Sequence, residues 1–179
     1  MNERVQKETI RYYLRALIFV AVSLTISFIW GNSVLSRAES SSVSGGVAKI
    51  IKDVLPPGKG TDIIVKYIRK IAHFTEYGLL GIEIMLYLRV LSRHRSFFCV
   101  LSGFMFGACI AFCDEGIQFF TGRGNSLTDV LIDTCGFAFY FVLSYVIIEA
   151  LLAVAESIIK RKNRGNRADV SSKKDIADA

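Results

Sequence analysis

From Phe97 to Cys113 and from Thr134 to Ile148 the chain carries no charged residue, and Leu14 to Trp30 carries none after Arg15. A hydrocarbon core about 30 Å thick is crossed by about 20 mostly apolar residues in a helix, because the backbone must satisfy its own hydrogen bonds there. The chain is 52% hydrophobic with a mean hydropathy of +0.42, and that apolar content is bunched into these runs. A soluble domain spreads it more evenly. The stretch from Ile71 to Val90 also has the length of a span but includes His73, Glu76, Glu83 and Arg89. The expected architecture is an all-α, polytopic membrane helix bundle. It has four transmembrane helices, about 14–31, 71–91, 96–114 and 129–151, plus one short interfacial helix.

The chain divides on this reading into a basic N-terminus (1–13), the first span (14–31), an outer loop (32–70), a core holding the other three spans (71–155) and a basic tail (156–179). The first span follows Arg4, Lys7, Arg11 and Arg15 and precedes small residues at Ser33 to Ala38, features that a cleaved signal sequence shares. Its apolar core is long for one, so a retained helix is expected. Ser40 to Gly46 reads as a flexible segment. Val47, Ile50, Ile51, Val54 and Leu55 then fall at helical spacing opposite Lys49, Lys52 and Asp53, which gives a short helix lying on the membrane surface. Pro56 to Gly60 ends it, and Thr61 or Asp62 is placed to cap the helix that enters the second span. The tail after Ile159 is basic and then mixed in charge, a composition expected to stay disordered against anionic headgroups.

Lysines and arginines cluster in the N-terminus, at Arg93 and Arg95, and at Lys160, Arg161, Lys162, Arg164 and Arg167. By the positive-inside tendency both termini are expected in the cytoplasm, with 32–70 and 115–128 outside. Lys49, Lys52, Lys59, Lys66, Arg69 and Lys70 run against that bias. Cys99, Cys109, Cys113 and Cys135 all fall in apolar spans and read as small membrane-buried residues, without metal-ligand spacing. No nucleic-acid module, phosphate-binding glycine loop, cofactor motif or internal repeat is present.

Ionisable residues inside a bilayer cost a few kcal/mol each, so their placement is informative. At about 100° per residue, Lys66, Arg69, Lys70, His73, Glu76 and Tyr77 share an arc of about 120°, and Glu83 extends the stripe. Asp114 and Gln118 share a face of the third span with Gly103 and Gly107, with Glu115 beside them. Those glycines form a small-xxx-small pair that lets a helix approach closely, in this chain or in a second copy. Asp129, Asp133, Gly136 and Tyr140 line one face of the fourth span, with Ser126 placed to cap it. Three helices thus aim polar stripes at one region, and Arg123 on the connecting turn can fold over it. Duller readings exist for each part. Asp129 fits a helix N-terminal charge, Asp114 and Glu115 a solvated helix end, and His73 with Glu76 a structural hydrogen bond. The whole cluster also fits a role in holding the bundle together.

At these residues the chain resembles the VanZ-like family of small bacterial membrane proteins. Lys70, His73, Phe74, Glu76, Tyr77, Leu80 and Gly81 match a K-x-x-H-F-x-E-Y-x-x-L-G signature. Glu115, Gln118, Gly122, Arg123, Asp129, Val130 and Gly136 match a second one. Asp133 stands where the family usually has Asn, and Tyr140 where a glycine often follows. The resemblance covers about residues 66–145. It implies a multi-pass protein of the bacterial cytoplasmic membrane with a role at the cell envelope, and an association with teicoplanin-type glycopeptide resistance.

Two function classes follow. A binding protein would use an outward-facing acidic and polar pocket, with Lys70, Tyr77, Gln118, Arg123, Asp129 and Asp133 holding a polar headgroup, a lipid-linked cell-wall intermediate or a cationic ligand. A membrane-embedded hydrolase or transferase would use His73, Glu76, Asp114 and Glu115 as acid–base groups on a lipid-linked substrate. Carboxylates from different helices could instead hold a divalent metal, although His73-x-x-Glu76 is shorter than the H-E-x-x-H pattern and lacks its second histidine. A small transporter is a third reading, one that four helices without a repeat support poorly. The partners expected are the lipid bilayer, a lipid-linked cell-wall precursor or glycopeptide, and a second copy of the chain; nucleic acid is not expected.

Overall fold

The computed structural model describes residues 3–35, 37–91, 97–122 and 126–177. They form five helices and no strand: α1 (Glu3–Val34), α2 (Arg37–Val54), α3 (Lys59–Leu91), α4 (Phe97–Phe120) and α5 (Leu127–Ala177). The all-α expectation holds. Three helices are long and apolar enough to cross a membrane, over Arg4–Val34, Phe97–Phe120 and Leu127–Lys162. The third helix is long enough but its polar residues lower its hydropathy, and the structure turns much of that stripe toward neighbouring helices.

By contact, the chain separates into two compact units, Met1–Val142 and Leu143–Ala179. The second is the remainder of α5. It continues as helix to Ala177, where composition led us to expect a disordered tail. Propagating an existing helix costs far less than starting one, and the segment contains no proline.

In the first unit α1 packs chiefly on α3 and also on α4, α3 packs on α4, and α2 lies on α3. Val22, Ile29, Tyr77, Leu80, Ile84, Met85, Ile110, Ala111, Val130, Phe137 and Phe141 form the buried core. Other faces are apolar and exposed: Leu17, Phe19 and Leu24 on α1, Met105 and Phe112 on α4, Leu131 and Phe139 on α5. Continuous apolar surface of that kind is stable against lipid rather than water.

Glycines set how close the helices come. A Cβ on Gly81 would sit 2.5 Å from the carbonyl oxygen of Phe137, and one on Gly136 would meet the backbone of Phe74. The first half of α5 is therefore pressed against α3 almost backbone to backbone. Gly103 and Gly107 are filled by Phe141 and Phe137 of the same chain, so that stripe serves the monomer's own packing and not the pairing of copies allowed above.

Two local expectations need correction. Helix α2 begins at Arg37, so the Ser- and Gly-rich segment expected to be a loop is helical. The helix lies along α3, but Val43 and Val47 stay largely exposed and only border a small cavity there, so no buried face explains why this weak helix former is helical. The Thr61 hydroxyl does not cap α3, which starts at Lys59; it donates to the Pro56 carbonyl at 2.7 Å. None of the four cysteines is in a disulfide, and Cys109, Cys113 and Cys135 lie on helix faces turned away from the bundle interior. Ser126 does stand at the start of α5, its carbonyl accepting from the N–H groups of Asp129 and Val130. At the other side of that turn, two residues past the end of α4, Gly122 has a φ of 74°, the left-handed conformation common just past a helix C-terminus.

Candidate functional site

The polar stripes converge at one end of the first unit, where the end of α1, the first half of α3, the end of α4 and the start of α5 meet. Gln118, fully buried, is the hub. Its Oε1 accepts from the Arg69 guanidinium at 2.9 Å, and its Nε2 donates to Asp114 Oδ2 at 3.0 Å and to Ser33 Oγ at 3.5 Å. The Ser33 hydroxyl donates to Asp114 Oδ1. One chain of bonds thus runs Arg69–Gln118–Asp114–Ser33 across α3, α4 and α1. Thr121 adds a bond from its hydroxyl to the Ser33 carbonyl at 3.2 Å.

The remaining acids are distributed around this hub. Glu115 Oε2 accepts from the Ser126 N–H at 2.9 Å and pins the α4–α5 turn. Lys70 Nζ lies 3.4 Å from Asp129 Oδ1, both half-exposed at the rim. His73 Nδ1 lies 3.7 Å from Asp133 Oδ1. Asp133 is 1% exposed, and neither of its oxygens has a hydrogen-bond partner among the described residues. One donor atom from each of His73, Asp114 and Asp133 falls within 4.8 Å of the others.

Two cavities flank His73. The larger, about 220 Å³, is lined by Lys66, Arg69, Lys70 and His73 of α3, by Glu115 and Gln118 of α4, and by Asp129, Ile132 and Asp133 of α5. The smaller, about 140 Å³, lies under α2, with Leu35, Val43, Val47 and Ile68 among its apolar lining and Asn32, Arg69, His73 and Glu76 among its polar lining. Arg69 and His73 belong to both walls. Glu76 faces the smaller cavity, where the Asn32 amide reaches its Oε1 at 3.5 Å.

The structure therefore brings Lys70, His73, Glu115, Gln118, Asp129 and Asp133 around one cavity, with Asp114 buried behind them. Glu76 is displaced to the neighbouring cavity, and it is Asp133 that groups with His73 and Asp114. Tyr77 is fully buried and lines neither cavity. Its hydroxyl lies 3.5 Å from the Ile110 carbonyl, as a tie between α3 and α4. Arg123 lies outside the described residues. Two contributors went unrecognised in the sequence, Asn32 and Ser33 of α1, because that helix reads as plainly hydrophobic. The signal was present: Val22, Thr25, Ile29, Asn32 and Ser33 follow a spacing of three and four that marks one helix face.

Stability alone accounts poorly for this arrangement. A hydrogen bond between membrane helices contributes about 0.6 kcal/mol on average, whereas a charged side chain at the bilayer centre costs about 2.5–3.5 kcal/mol. Several acids sharing a handful of such bonds gain little stability from them. Such a cluster around a cavity has the form of a site.

The VanZ/LLP1 family model matches residues 13–149. No curated protein and no solved structure matches the chain. The matched range takes in α1 as well as both polar signatures, so the helix that supplies Ser33 is part of the family's own core. This chain belongs to the VanZ/LLP1 family.

Proposed function

We propose that this protein is an envelope component of the bacterial cytoplasmic membrane that binds an anionic headgroup, phosphate or carboxylate, in an outward-facing cavity. The observation that carries the reading is the α3 wall of the larger cavity, where Lys66, Arg69 and Lys70 stand together above a polar floor. Arg69 is bonded to a neutral amide rather than a carboxylate, which leaves its charge available for a bidentate contact with an oxyanion. Size decides between candidate ligands. Cavities that enclose drug-sized molecules are about 300–1,000 Å³. One of about 220 Å³ suits a headgroup and is far too small for a glycopeptide. Tolerance to teicoplanin-type compounds would then arise indirectly, through a sequestered or altered surface component to which such compounds bind.

The test is titration of the purified full chain with pyrophosphate-bearing polyprenyl lipid, with an anionic glycerophospholipid and with a zwitterionic lipid. Binding of the first two that falls in Arg69→Ala supports the reading. Equal affinity for the zwitterionic lipid removes it. In a susceptible Gram-positive host, wild type should raise lipoglycopeptide tolerance while His73→Ala and Arg123→Ala should not.

The His73–Asp133 pair at the cavity wall favours a second reading, a hydrolase or transferase in which the carboxylate orients the imidazole as general base. Turnover of the bound lipid that vanishes in His73→Ala would replace the binding reading with this one.

A further inference from the structure

We propose that His73, Asp114 and Asp133 form a seat for one divalent first-row transition-metal ion at the inner wall of the larger cavity. The three residues come from α3, α4 and α5, and a donor atom of each lies within 4.8 Å of the others. Ligands about 2.1 Å from a shared ion stand about 3.0–3.4 Å apart at right or tetrahedral angles, and about 4.2 Å apart across it. The 3.7 Å between His73 Nδ1 and Asp133 Oδ1 is already within that range, though too long for a good hydrogen bond. The other separations, all within 4.8 Å, are closed by small side-chain shifts.

An independent observation points to an occupant. Asp133 is almost wholly buried, lines the cavity, and has two carboxylate oxygens without a hydrogen-bond partner among the described residues. Its nearest described charged partner is an imidazole, and a second buried carboxylate, Asp114, lies beside it. A dication resolves both problems, taking the idle lone pairs and compensating the paired acids. Support around the ligands fits as well. The Ser33 hydroxyl and the Gln118 amide each donate to one oxygen of Asp114, fixing the orientation of the carboxylate while leaving it further lone pairs. One ring nitrogen with two carboxylates suits zinc, manganese, iron or cobalt better than calcium or magnesium, which prefer all-oxygen sets. Three protein ligands leave a coordination position open, and the cavity is where it would face. The seat stands on this geometry alone and does not depend on the headgroup reading.

The experiment uses the full-length protein in detergent, stripped with a chelator, desalted and titrated with Zn²⁺ or Mn²⁺ alone, without lipid. Bound metal is read by elemental analysis and ligation by the visible absorption of a Co²⁺ derivative. The expected result is about one ion per chain, with affinity about 10-fold or more weaker in His73→Ala and Asp133→Asn. Glu83→Gln, on the α1–α3 seam away from this cavity, should bind as wild type does. Wild-type Co²⁺ spectra should show the bands of a nitrogen–oxygen site, which keeps the test decisive even if a variant fails to fold. No retained ion in the wild type, or equal stoichiometry and affinity in both ligand variants, overturns the proposal. Metal binding lost while headgroup binding persists would remove the seat and leave the proposed function standing; the reverse outcome would do the opposite.

Discussion

The polar groups of this protein fall into two sets that the same helices hold in different ways. Along the middle of the α1–α3 seam, one carboxylate, Glu83, accepts a hydrogen bond from the Thr25 hydroxyl at 2.9 Å. Further along, the Arg15 guanidinium reaches the Val90 carbonyl at 3.4 Å. Neither contact opens on either of the cavities beside His73. Around His73, by contrast, acids from three helices crowd one another and two of the basic residues face a cavity through neutral or partial pairing. The first set joins one helix to another and does nothing else visible. The second exceeds what joining helices requires, and the excess is where a ligand would be held. Burial alone does not separate the two sets; the surplus of unsatisfied acids beside accessible space does.

Perturbations that act on both sets, on one, or on the other sharpen this contrast. The largest effect is expected from Gly136→Val. Its side chain would collide with the backbone of Phe74, so α5 must part from α3 at a cost of about 3 kcal/mol. Folded yield and headgroup affinity should fall together, read by detergent-resistant melting and by lipid titration. Next, Arg69→Ala removes a charged donor whose bonds are worth about 1.5–3 kcal/mol, so lipid affinity should drop about 10- to 100-fold with little change in melting. If melting falls as much as affinity, the outer cluster is structural after all and the contrast collapses. Ser33→Ala releases one oxygen of Asp114 and should weaken metal uptake about 10-fold by equilibrium dialysis, with a loss of about 1–2 kcal/mol in lipid-free stability. The smallest effect belongs to the seam. Thr25→Ala leaves Glu83 without its hydroxyl partner and should lower stability by about 1 kcal/mol in a denaturant titration, with metal and lipid binding as in wild type. A loss of binding there would mean that the two sets are coupled through α1.

Much of the site was legible because helix phase is a local property. Asp129, Asp133 and Gly136 share a face wherever a helix of that sequence is placed, and the same holds for Asp114 with Gln118 and for Arg69 with His73. Grouping by face also misled. Tyr77 shares the stripe of His73 and Glu76 yet is spent inside the α3–α4 contact, and Glu76 turns to the smaller cavity, where it meets Asn32. A stripe about 120° wide touches more than one neighbour, and its residues are shared among them according to how the helices rotate.

By itself the sequence determined that this chain is helical, that at least three of its helices suit a bilayer, and which faces of α3, α4 and α5 are polar, since hydropathy and a period of 3.6 residues need no partner to be read. Only the tertiary structure decided that α1 completes the site through Ser33, that α2 extends back to Arg37, and that Asp133 joins His73 and Asp114. Those outcomes follow from the azimuth and separation of each helix. Contacts such as Gly81 on Phe137 and Gly136 on Phe74 set these quantities, and they join residues more than 50 positions apart that no local pattern connects.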